Sequence, residues 1–168
     1  MMKAKYEVEP DLVQKLSAFV TFPFTLKVIF GFISDNIPIY GSNKKAYLVL
    51  ASSLQFVAMT TVTFYPEKSL TLLATCVFLS YLSVAFADVV VDSLMVINAR
   101  RDPKNGSSHL QHFVWTCQAV GGIISAIIAG VLTQRDVTPL CFGIYAVFGI
   151  IMFFLSMLLD KNVEYGGQ

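Results

Sequence analysis

The apolar positions of this 168-residue chain gather into five long runs, at residues 16–33, 46–65, 70–97, 113–132 and 140–159. Each run reaches or passes the roughly 18–20 apolar residues that a helix needs to cross about 30 Å of hydrocarbon. Runs of this length are too long for strands, which average about five or six residues. The pattern predicts an all-α, polytopic membrane bundle of five transmembrane helices, with residues 1–168 forming a single transmembrane domain. The punctuation agrees. Pro23 lies inside the first run and should kink it. Pro38 and Gly41 turn the first loop, and Pro66 ends the second helix, with Ser69 a candidate N-cap for the third. Asp102-Pro103-Lys104-Asn105-Gly106 breaks the chain, and Pro139 suits the first turn of the last helix.

Composition narrows the class. Hydrophobic residues make up 55% and charged residues 14%, against about 45–50% and 25% in soluble domains. A net charge of +1 leaves no basic stripe for phosphates, so a nucleic-acid partner is excluded. Cys76, Cys117 and Cys141 fall within spans without metal-ligand spacing, and should behave as small hydrophobes. The first ten residues are polar and carry no apolar signal region. The first crossing is therefore expected to act as its own insertion signal, unless sequence precedes it. No Ser/His/Asp set, phosphate-cradling loop or open zinc pattern is present, so neither enzyme, cofactor nor metal is expected. His109 and His112 lack a third ligand and read as an interfacial pair. Trp115 and Tyr165 read as bilayer-surface anchors.

Loop charge sets the expected orientation. One side carries Lys44, Lys45, Arg100, Arg101, Lys104 and Lys161, whereas the short loops opposite carry Lys68 and Arg135. The first side should be cytoplasmic, although Lys3, Lys5 and Lys15 fall on the outer side. The sequon at Asn105-Gly106-Ser107 would then stay unglycosylated.

Candidate chemistry lies in charges that the spans contain. Lys27, Asp88 and Asp92 sit within apolar runs, where a charge persists only facing a partner, a cavity or a pathway. The first span ends in Gly31-Phe32-Ile33-Ser34-Asp35, followed by Gly41 and Lys44-Lys45. Gly31 allows a neighbouring helix to approach. Asp35 lies at a helix C-terminus, where the dipole disfavours an anion, and so needs a cation. Lys44 and Lys45 would hold the loop at an anionic leaflet.

This loop resembles the G-x-L-x-D…G-x-[RK]-[RK] signature between the second and third helices of the major facilitator superfamily. The segment from Phe22-Pro23-Phe24 through Lys27 and Gly31 to Ser34-Asp35 is similar to the "P-W-x-x-K-P-x-x-G-x-x-S-D" stretch of the folate-biopterin transporter family. Pro38-Ile39-Tyr40-Gly41 and Lys45-Ala46-Tyr47-Leu48 continue the match, and Ala87-Asp88-Val89-Val90-Val91-Asp92-Ser93-Leu94 resembles its "A-x-x-D-V-x-x-D" helix. Departures are Phe24 for Trp, Val28 for Pro, and Asn43-Lys44-Lys45 for an Arg-rich turn. The resemblance implies a secondary transporter for folate- or pterin-like anions, with a proton as candidate coupling ion. It implies a gating loop containing Gly31, Asp35, Gly41, Lys44 and Lys45. It also implies a partial major-facilitator N-terminal half, helices two to six of about twelve, whose bundle other helices or another chain would complete.

Asp88 and Asp92 are four apart and share one helix face. Two carboxylates so placed repel when both are ionised, which favours a proton on one. Lys27 lies eight residues before Asp35, and Asp92 eight before Arg100. At about 1.5 Å per residue both sit about 12 Å inside one boundary, so a Lys27–Asp92 pair is expected. Asp88, about 6 Å deeper, would be free for a proton or a pterin ring. Two alternatives stand beside this reading: the three charges as a structural brace, and the chain as a non-transporting subunit or scaffold in a larger membrane assembly. On the fourth helix Gly122, Ala126 and Gly130 repeat every four residues, as do Gly121, Ser125 and Ala129. This face predicts close helix packing.

Overall fold

The computed structural model describes residues 10–37, 44–65, 70–100, 106–135 and 137–159. Pro38, Gly41, Pro66, Ser69, Lys104, Asn105, Lys161 and Tyr165 lie outside them. The described residues contain helices and no strand. The first crossing is broken into α1 (Pro10–Thr21), a 3₁₀ turn (Phe22–Leu26) and α2 (Lys27–Asn36). Pro23 causes the break: it lacks the N–H an α-helix would use, and it sits in the first turn of the 3₁₀ segment. The Thr21 hydroxyl donates to the Ser17 and Ala18 carbonyls at 3.0 and 3.2 Å, and that of Thr25 to the Phe22 carbonyl at 2.6 Å. Back-bonding of this kind bends helices further. Four longer elements are α3 (Lys45–Phe64), α4 (Leu70–Ala99), α5 (Gly106–Gln134) and α6 (Thr138–Leu158). Five helical stretches are long and apolar enough to cross a membrane.

Helix α4 is the hub, touching α1, the 3₁₀ turn, α2, α3 and α5. Antiparallel α3 and α4 bury two clusters, one near each end. Ala58 and Val62 meet Leu73 and Cys76, and Tyr47 and Leu48 meet Val90 and Leu94. Helix α6 packs most extensively on α3. A Cβ on Gly149 would stand 3.3 Å from the Phe56 backbone, and one on Gly143 3.4 Å from Thr63. Bare backbone at these points lets the two axes converge. Pro139 occupies the first turn of α6, where a missing N–H costs nothing.

Helix α5 begins at Gly106 rather than at residue 113. Its polar first two turns lie outside the apolar run but contain no breaker. None of its residues is buried. The packing predicted for Gly121, Gly122, Ala126 and Gly130 is not made by the described residues: a Cβ at any of the three glycines would meet nothing within 4 Å, and Ala126 is exposed.

Candidate functional site

Lys27 opens α2 directly after the 3₁₀ turn, and Asp88 lies two-thirds of the way along α4. The Lys27 ammonium donates to Asp88 Oδ2 as an ion pair. The pair is not sealed, since the two side chains keep 36% and 42% of their exposure. The same ammonium stands 5.1 Å from the Phe24 ring centroid, a cation–π distance. Phe24 meets Tyr81 edge to face at 6.0 Å. Tyr81 precedes Asp88 by two turns on the same face of α4. Toward the C-terminal end of α2, Phe86 packs against both Phe30 and Tyr47, at 5.2 and 5.1 Å. The lysine is thus held between an acid and an aromatic wall.

The expected Lys27–Asp92 pair does not form; Lys27 takes Asp88 instead. The reason is register. A Cβ on Gly31 would stand 3.4 Å from Val89 Cγ1, so Gly31 lies near the level of Val89. Helices α2 and α4 run parallel, being alternate crossings, so Lys27 sits near the level of residue 85. Asp88 is then about 4.5 Å further along the axis, within reach of a long flexible stem. Asp92 is about 10.5 Å along, beyond that reach. Asp92 is exposed and has no ion-pair partner among the described residues.

The loop residues form a second cluster. Lys44 is 4% exposed, and its ammonium donates to Asp35 Oδ1 and, at 3.2 Å, to Ser34 Oγ. Asp35 and Ser34 close the C-terminal turn of α2, so the cation answers both the carboxylate and the helix dipole. Lys45 reaches α6, donating to the Met157 and Leu159 carbonyls at 2.6 and 3.0 Å. Cations at a helix C-terminus satisfy carbonyls that lack intrahelical donors. Both lysines therefore tie helices together, which differs from the expected leaflet anchoring. The Tyr47 hydroxyl donates to the Ile37 carbonyl at 2.8 Å. Asp35 belongs to this α2–α3–α6 junction, whereas Gly31 faces Val89 of α4; Gly41 lies outside the described residues.

Beside this site the helices leave a cavity of about 730 Å³ between α4, α5 and α6. Tyr81 lines it, so its wall continues to Phe24 and the ion pair. Ser80 and Tyr145 also line it. Neither was singled out from the sequence, because one serine or tyrosine in an apolar run carries no charge signal. The Gly143 and Gly149 contacts were missed because they are six apart and form no four-residue repeat. Among the described residues no group of three or more His, Cys, Asp and Glu stands together.

The BT1 family matches residues 1–166 of the chain. A folate-biopterin transporter of Synechocystis sp. is 32% identical over 166 residues, covering 95% of this chain and 32% of the relative. Two Arabidopsis thaliana proteins named probable folate-biopterin transporters 2 and 4 are 26% and 25% identical, over 98% and 96% of this chain and 32% and 33% of their own lengths. The chain spans about a third of the length of the curated relatives it matches. No solved structure matches it.

Proposed function

The chain belongs to the BT1 family and is an integral, multi-pass membrane protein; from that premise we propose that it is part of a secondary transporter for folate- or pterin-like organic anions. The observation that carries the reading is the Lys27–Asp88 ion pair inside membrane-spanning helices, unsealed and walled by Phe24 and Tyr81. An intramembrane pair of this kind marks a pathway more often than a brace. Lys27 exchanges Asp88 for a carboxylate of the passenger. Phe24 and Tyr81 offer ring faces and edges to a bicyclic aromatic group. Asp88, released, and Asp92, a turn further on, are the carboxyls that load a proton if transport is symport. The Asp35–Lys44 contact is the gating latch that loosens when access alternates. The reading involves no bond-making chemistry and no cofactor. It places the polar junction of α2, α3 and α6 on the cytoplasmic side, where Asn105 carries no glycan. Helices beyond residues 1–168 complete the bundle around the passenger.

The test is uptake of labelled folate into proteoliposomes containing the product of the complete coding region. Asp88→Asn, which keeps an oxygen acceptor for the Lys27 ammonium but not the charge, should lower uptake at least tenfold at equal protein level. Unchanged uptake sinks the proposal. A second reading, a non-transporting subunit of a larger membrane assembly, is favoured by the direct Lys27–Asp88 contact, which also fits a brace between α2 and α4. Assembly into a larger complex without any uptake would establish it.

A further inference from the structure

The cavity between α4, α5 and α6 has two walls that continue past it toward the ion pair. Tyr81 lines it from α4 and Ser125 from α5. Asp88 follows Tyr81 by seven residues, two turns along the same face. Gln118 precedes Ser125 by the same seven residues, again on one face. Helices α4 and α5 are consecutive crossings and run antiparallel, so both steps lead the same way, by about 10.5 Å each. Asp88 and Gln118 therefore stand at one level on the two walls. The helix ends give the same depth: Asp88 lies eleven residues before Ala99, and Gln118 twelve after Gly106. Gln118 also lacks what its neighbours have. Thr116 and Ser125, in the same apolar run, donate back to the His112 and Gly122 carbonyls at 2.7 and 2.9 Å. Gln118 is exposed and makes no hydrogen bond among the described residues. A carboxamide without a partner in a membrane span is costly, and hydrocarbon supplies none. A bound polar group does.

We infer that Gln118 is a specificity-determining residue of the Lys27–Asp88 site, donating to the amide that a folate-class passenger carries beside its carboxylate, while the passenger's aromatic arm lies in the cavity. The inference rests on the transport reading, which puts the passenger's carboxylate on Lys27. In folate that carboxylate belongs to a glutamate joined through an amide to a benzoyl ring, so the amide is the polar group next to it. Gln118, level with Asp88, meets that amide, and its N–H donates to the amide carbonyl. The arm beyond is aromatic, and so is much of the wall it enters: Tyr81, Phe142, Tyr145 and Phe148. The volume of about 730 Å³ falls within the roughly 300–1,000 Å³ of small-molecule sites. Bare backbone at Gly121, where a Cβ would meet nothing within 4 Å, leaves a planar ring room against α5.

The experiment measures equilibrium binding of folate and of pteroate to the product of the complete coding region in detergent, with folate uptake into proteoliposomes measured separately. Pteroate keeps the rings and ends in a carboxylate, but lacks the glutamate and its amide. Wild type should bind folate at least fivefold more tightly than pteroate. Gln118→Leu, similar in size but without a donor, should erase that preference, raising the folate Kd at least fivefold and the pteroate Kd less than twofold. Gln118→Asn, which keeps the carboxamide one carbon shorter, should fall between wild type and Gln118→Leu for folate. Unchanged folate affinity in Gln118→Leu would assign Gln118 to helix packing and overturn the inference. Equal losses for both ligands, a wild type without the preference, or a wild type that binds no folate would overturn it too. Folate binding with the expected Gln118 effect, but no uptake, would count against the transport reading alone.

Discussion

Helices α5 and α6 are neighbours in sequence, and each carries glycines within its apolar run, but the two sets meet opposite surroundings. On α6, Gly143 and Gly149 press against Thr63 and the Phe56 backbone of α3, 3.3–3.4 Å from where a Cβ would sit. On α5, Gly121, Gly122 and Gly130 face open space within 4 Å. The helix with the more regular small-residue repeat is the one whose repeat meets no neighbour among the described residues. A glycine repeat reports that a helix can be approached; which surface approaches depends on the neighbours present. Charge follows the same division. Lys27, Asp88 and Asp92 all belong to the packed α2–α4 side, whereas residues 113–132 and 140–159 contain no Lys, Arg, Asp or Glu.

The contrast can be broken at four points. The largest effect is expected at the ion pair. Asp88→Ala leaves the Lys27 ammonium without its carboxylate, at a cost approaching the roughly 2.5–3.5 kcal/mol of an unpaired charge at mid-helix, discounted for the pair's partial exposure. The double variant with Lys27→Ala should recover most of that loss in a detergent melting assay; no recovery would mean the pair is not coupled. Next is the α3–α6 seam. Gly149→Leu drives a side chain into the Phe56 backbone and should destabilise by about 1–3 kcal/mol, lowering the melting temperature of the purified chain. At the junction, Lys45→Ala removes the cation from the α6 C-terminus and should cost about 0.3–1 kcal/mol, read as earlier exchange of amides in the last turn of α6. Smallest is α5 itself. Gly122→Leu in the chain purified alone should shift stability by less than about 0.5 kcal/mol. If it proves as damaging as Gly149→Leu, the division between the two helices is wrong.

Much of this architecture was legible in residue order. Five runs long enough to span a bilayer, the proline break at residue 23 and Pro139 at a helix start all follow from local constraints on the backbone. The three intramembrane charges were legible because an ionised group in an apolar run is costly and stands out. Their pairing was not. It depended on Gly31 lying beside Val89, an offset between two helices that equal distances from the loops cannot reveal. The capping of α6 by Lys45 was hidden for a similar reason: the partners are 112 and 114 residues away.

The sequence by itself determined where the membrane helices are, where the first one breaks and which polar side chains are out of place in oil, because these follow from length, hydropathy and proline stereochemistry. Tertiary structure alone decided that Lys27 meets Asp88, that Gly149 is a contact and Gly121 an opening, and that α4 is the hub. Those outcomes depend on the stagger and spacing between helices, which packing sets.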